Sequence, residues 1–103
     1  MLIVMTTVAD AAAGGELAEK IVGARLAACV QVLPQMRSVY YWEGEVRNEP
    51  EHLLFIKTLD EKYPALESFI KSNHPYEVPE ITAIFAAEIS EAYLAWMQEY
   101  LRT

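Results

Sequence analysis

Few side chains in this 103-residue sequence can do chemistry beyond ordinary polarity. Cys29 is the single cysteine, and His52 and His74 are the two histidines. Thiolate and imidazole are the donors that copper and similar cations prefer, and carboxylates are harder donors. Metal ligation by His74, with Glu80 next and Cys29 last, is therefore one chemistry to consider. Each residue also has a plainer role. His74, just before Pro75, suits the C-terminal end of a helix, where an imidazole interacts favourably with the dipole. Glu80 suits a solvated strand end. Cys29, between Ala28 and Val30, reads first as a small hydrophobe. Lys57 shares a strand face with Leu53 and Phe55, where an ammonium needs a carboxylate partner or a route to solvent. Glu80 is the expected partner. No nucleophile stands with a base and an orienting group, so the residues give no reason to expect an enzyme.

The elements that must position these residues follow from hydrophobic periodicity. Residues 2–5 form an apolar run of strand length. Asp10 can cap a helix reaching to about Ala28, with Leu17, Ile21, Ala24 and Ala28 on one stripe and Gly14-Gly15 weakening its first turns. From Cys29 the period becomes two, and Pro34 interrupts the strand. A strand resumes at Arg37, with Val39, Tyr41 and Glu43 on one face and Ser38, Tyr40 and Trp42 on the other. Arg47-Asn48-Glu49-Pro50 reads as a turn, followed by a central strand over 53–58. Asp60 is expected to cap a second helix, with Pro64 in its first turn, Tyr63, Leu66 and Ile70 buried, and Pro75 beyond its end. A last strand over 81–87 leads to Ser90, the cap of a C-terminal helix that is apolar over much of its circumference.

The order β-α-β-β-α-β-α predicts an α+β fold. Its first six elements are the split βαβ pairs of a ferredoxin-like sandwich, extended by a long β-hairpin and a C-terminal helix. The length predicts one domain over 1–103. Hydrophobic residues make up 53% and aromatic residues 11%, more than so small a core requires, so some apolar surface is expected to be covered by another chain. An aromatic-rich hairpin projecting beyond the helices also needs a partner. A net charge of −7 disfavours nucleic acid. One cysteine excludes an intrachain disulfide. The N-terminal apolar run is too short for a signal or a membrane span, so a cytoplasmic chain with no membrane association is expected. There is no CxxC, RNP-type strand, P-loop, GxGxxG or HExxH.

Four blocks carry a resemblance: Arg25-Leu26-Ala27-Ala28-Cys29-Val30, then Tyr40-Tyr41-Trp42-Glu43-Gly44-Glu45-Val46, Ile56-Lys57-Thr58, and His74-Pro75-Tyr76-Glu77-Val78-Pro79-Glu80-Ile81. In this order, with the closing Tyr93-Leu94-Ala95-Trp96, the sequence resembles the CutA divalent-cation-tolerance family. That resemblance implies a ferredoxin-like subunit in a homotrimer joined through sheet edges, similar to PII signalling proteins. It also implies a link to tolerance of copper and other divalent cations, with no obligatory cofactor. Any copper or other cation would sit at subunit junctions, and Lys57, Tyr40, Trp42 and Tyr76 are candidates for a pocket there. Family copper coordination is associated with a first-strand cysteine and paired histidines before Pro-Tyr. This chain has Thr6 and Asn73-His74 at those positions, and threonine and asparagine are poorer copper ligands. The alternative function is a PII-like sensor or scaffold that takes a small organic ligand in inter-subunit clefts.

Overall fold

The computed structural model describes residues 1–102 of the chain. Five strands and three helices follow one another as β1 (Leu2–Val8), α1 (Ala11–Gly23), β2 (Cys29–Val32), β3 (Met36–Trp42), β4 (Glu45–Thr58), α2 (Tyr63–Asn73), β5 (Thr82–Phe85) and α3 (Glu91–Leu101). The sheet has the order β2-β4-β1-β5 with every pairing antiparallel, and β3 continues along β4 beyond β2. This is the ferredoxin-like arrangement of an α+β fold, with a hairpin and a third helix added.

Alternation along the strands decides which face is covered. Leu2, Val4, Thr6 and Val8 of β1 are buried beside Leu54, Ile56 and Thr58 of β4. They pack with Leu17 and Ile21 of α1 and Leu66 and Ile70 of α2 into the main core. Gly14 lets α1 lie close to the sheet. A methyl group there would meet Val8 Cγ2 at 3.0 Å and Val32 Cγ1 at 3.2 Å. A second cluster joins Met97 and Leu101 of α3 to Ala28 and Leu59.

Helix ends follow local chemistry. Asp10 Oδ1 accepts from Ala13 N at 2.7 Å, and Ser90 Oγ accepts from Tyr93 N at 3.3 Å. Asp60 does not cap α2. It opens a single 3₁₀ turn over 60–62, and α2 begins at Tyr63 with Pro64 in its first turn. α1 stops at Gly23, short of Ala28, because Arg25 turns left-handed at φ 57°. Arg25 N donates to Val22 O and Leu26 N to Ile21 O, the two bonds of a Schellman cap. A non-glycine residue is costly there. The Arg25 guanidinium offsets part of that cost by donating to Tyr100 O at 2.7 Å and lying 4.4 Å from the Tyr100 ring centroid.

The hairpin departs most from the sequence expectation. Residues 47–50 are strand rather than turn, and β4 runs unbroken for 14 residues. The chain reverses at Glu43 and Gly44, both at positive φ (50° and 82°), the two-residue geometry that matches strand twist. Pro50 is tolerated because this half of β4 pairs only with β3, leaving its other side without a neighbour. Between β2 and β3, residues 33–35 oppose only His52 and Leu53, a one-residue bulge at Pro34. A 14-residue strand spans ~46 Å at about 3.3 Å per residue, and the long axis of the molecule is 45 Å. The radius of gyration of 14.3 Å exceeds the ~13 Å of a compact chain of this length. The projecting hairpin is the cause.

Candidate functional site

The hairpin, the end of β1 and the loop after α2 enclose a cavity of about 650 Å³ that is open to solvent. Cross-strand register puts Ser38, Tyr40 and Trp42 on the same hairpin face as Arg47 and Glu51. These line the cavity with Thr7, and Tyr76, Glu77 and Glu80 approach from the loop. Tyr40 and Trp42 are each 40% exposed, so their rings are available to a ligand.

Glu51 anchors the floor. Only 7% of it is exposed, and its Oε2 accepts from the Tyr76 hydroxyl at 2.8 Å. Burial first, and then this bond to a carboxylate, push the Tyr76 phenol well above its ordinary pKa. Reading 47–50 as a turn hid Glu51. A residue after a turn has no assigned face, whereas in an unbroken strand Glu51 shares one with Leu53 and Phe55. Arg47 was hidden for the same reason. Its guanidinium stands opposite Tyr40, 3.9 Å from Glu45, and its Nε is buried without a partner.

His74 is the C-cap of α2 and is 9% exposed. Tyr76 N donates to its Nδ1 at 3.1 Å, so Nδ1 supplies its lone pair there. Nε2 then carries the hydrogen and donates to Thr7 O at 2.7 Å. Both nitrogens are committed to holding the loop against β1, and a metal ion would have to displace the Tyr76 N–H. Thr6, at the first-strand position, is fully buried with Oγ1 unpartnered. It faces the helices and not the cavity, because it shares its face with Val4 and Val8.

Lys57 does not meet Glu80 within one chain. It pairs with Cys29 and Ile3, four residues along β1 from Thr7 at the cavity, a separation of about 13 Å. Its Nζ lies instead 5.7 Å from the centroid of the Tyr93 ring. Glu80 accepts from Thr82 Oγ1 at 3.3 Å. Cys29 is half-buried at the Lys57 end, away from the cavity; burial first, and then the Cys29 sulfur, raise the pKa of the neighbouring Tyr93 phenol. The structure thus gathers Tyr40, Trp42, Tyr76 and Glu80 around one cavity, places His74 behind its loop, and separates Lys57 and Cys29 from it. Among the described residues no three His, Cys, Asp or Glu side chains converge as a cation site requires, so a copper centre does not fit the donors of one chain.

Residues 2–100 match the model of the CutA1 divalent ion tolerance protein family. The chain is 41% identical to the divalent-cation tolerance protein CutA of Thermus thermophilus, over 94% of each protein. It is also 41% identical to the chloroplastic CutA 1 protein of rice, covering 98% of this chain and 57% of that longer protein. The crystal structure of CutA1 from Pyrococcus horikoshii superposes with a TM-score of 0.93 at 32% identity, covering 97% of both chains. Fold, sequence and near-complete coverage agree, and the chain belongs to the CutA1 divalent ion tolerance family.

Proposed function

We propose that the chain acts as a cytoplasmic homotrimer in divalent-metal tolerance, copper included, binding cations weakly at its subunit junctions without catalysing a reaction. Family membership along nearly the whole chain carries the metal-tolerance reading. Exposed apolar surface supports the trimer. Val39, Tyr41 and Val46 on the hairpin are 65%, 71% and 76% exposed, and Phe85 on the edge strand β5 is 77% exposed. Such surface on a sheet edge calls for another chain.

In this reading Glu80 is the better placed cation ligand, an exposed carboxylate in the lining of the cavity. His74 joins it only where a neighbouring subunit loosens the loop, and Cys29 contributes where a junction supplies the second soft donor that one chain lacks. Lys57 enters a shared pocket only across a junction. Equilibrium dialysis with copper and zinc tests the assignment. Glu80→Gln is expected to weaken binding several-fold and His74→Ala to weaken it less. Equal binding by wild type and both variants removes these residues from the role.

A second reading is favoured by the cavity itself. A volume of about 650 Å³ with aromatic walls suits an organic molecule. The chain would then be a PII-like sensor or scaffold whose ligand lies between subunits, against Tyr40, Trp42 and Tyr76.

A further inference from the structure

We propose that the cavity beneath the hairpin binds a small organic cation, an amine or quaternary ammonium, between its aromatic rings and its carboxylates. This rests on the second reading above and names the ligand class. Three observations on the site lead to it.

The first is charge. Glu51 and Glu80 line the cavity with two further glutamates, and Arg47 is the one cation among the lining residues. A ligand of positive charge is favoured over a neutral or anionic one. The second is shape. The carboxylates are spread around a space far larger than one ion, and among the described residues no three metal-ligating groups converge. A bare metal ion would leave most of its coordination to water, whereas a molecule of several heavy atoms can touch opposite walls. The third is the wall material. Tyr40, Trp42 and Tyr76 line the same space as the carboxylates. Rings of this kind attract ammonium groups through their quadrupole, and carboxylates beyond the rings add to the field.

The buried Glu51 carboxylate gives the site a fixed floor. Tyr76 holds it in place through one oxygen, and it retains lone pairs that can accept an ammonium N–H. Arg47 sets the opposite limit. It stands across from Tyr40, so a cation lodged against that ring feels like-charge repulsion from the guanidinium. A groove that were merely sticky would not respond to the charge of Arg47.

The test uses the full chain carrying Trp96→Phe, so that Trp42 is the remaining indole. Its fluorescence is followed while tetramethylammonium chloride replaces sodium chloride at constant ionic strength. tert-Butanol, of similar size and no charge, is titrated in parallel. A saturable response is expected for tetramethylammonium, with tert-butanol at least about tenfold weaker. Glu80→Gln, an exposed position that leaves the fold undisturbed, is expected to weaken the cation several-fold, and Arg47→Gln to tighten it. Equal affinity for the two probes, or no change in either variant, overturns the cation assignment and leaves the groove as a site for some other small molecule. If no probe in a wider set of neutral, anionic and cationic compounds shifts Trp42, the small-ligand reading falls as well.

Discussion

His74 stands at the C-terminal end of α2, where its plainer reading put it, and the fold uses both nitrogens of its ring. Its ring closes a bridge from Tyr76 N to Thr7 O, so its first consequence is the shape of the cavity wall. The carboxylate that this wall faces is Glu51. Tyr76→Phe removes the donor to a buried carboxylate oxygen and is expected to cost about 1–3 kcal/mol at neutral pH by chemical denaturation. The same variant should alter the pH profile. Tyr76 titrates higher in the folded chain than in the unfolded one, so its contribution is complete below pH 10, the ordinary tyrosine value, and fades as pH rises toward the folded value. Tyr63 and Tyr93 are also raised, burial being the leading cause for each. Wild type should therefore lose stability above pH 10, and Tyr76→Phe should lose it less steeply. Thr6 offers the opposite case. Its fully buried hydroxyl lacks a partner, and Thr6→Val keeps the shape while removing that desolvated group. A gain of about 1 kcal/mol in unfolding free energy is expected; a loss would show that the hydroxyl has a partner in solution.

At the scale of elements, adjacent glycines in α1 make a controlled comparison. A methyl group at Gly15 meets nothing within 4 Å, so Gly15→Ala should gain about 0.5–1 kcal/mol from helix propensity. The same change at Gly14 presses on Val8 and Val32 and should forfeit that gain or reverse it. Thermal melts in which Gly15→Ala rises while Gly14→Ala stays level or falls would confirm the close approach of helix and sheet. The order of strands and helices, the Asp10 and Ser90 caps and the burial of Leu66 and Ile70 in α2 were legible in the sequence, because apolar period and capping chemistry are local signals; Tyr63 of the same stripe is only half-buried. The end of α1 was not, since Ala24, Ala27 and Ala28 continue the helical period and Arg25 carries no sign that it will turn left-handed. The hairpin turn was misplaced because Arg47-Asn48-Glu49-Pro50 has turn composition, whereas pairing with β3 keeps it extended. That one misplacement concealed Arg47 and Glu51. Tyr40, Trp42, Tyr76 and Glu80 were legible as individual residues, and their common cavity follows from strand register that no local pattern reveals. The supposed Lys57–Glu80 pair failed on register too, since the two stand toward opposite ends of the sheet.

The whole molecule is long for its mass, and its length is a hairpin that exposes Val39, Tyr41 and Val46. Helices α1 and α2 cover one face of the sheet, α3 closes the Lys57 end, and the far half of the hairpin joins neither hydrophobic cluster. No described helix is long and apolar enough to cross a membrane. The edge strand β5 is exposed at every residue, the large apolar Ile84 and Phe85 included. Burying Val39, Tyr41, Val46 and Phe85 against further copies would contribute roughly 1.5–3 kcal/mol for each large apolar side chain. A lysine at Tyr41 should then weaken assembly while leaving the subunit core intact. Sedimentation equilibrium of the unmodified chain at micromolar concentration examines the assembly itself. A single species of three times the chain mass is expected, with Tyr41→Lys shifted toward smaller species. A wild-type monomer that stays soluble and folded would show that the hairpin needs no partner, and would remove the subunit junctions at which cation binding is placed.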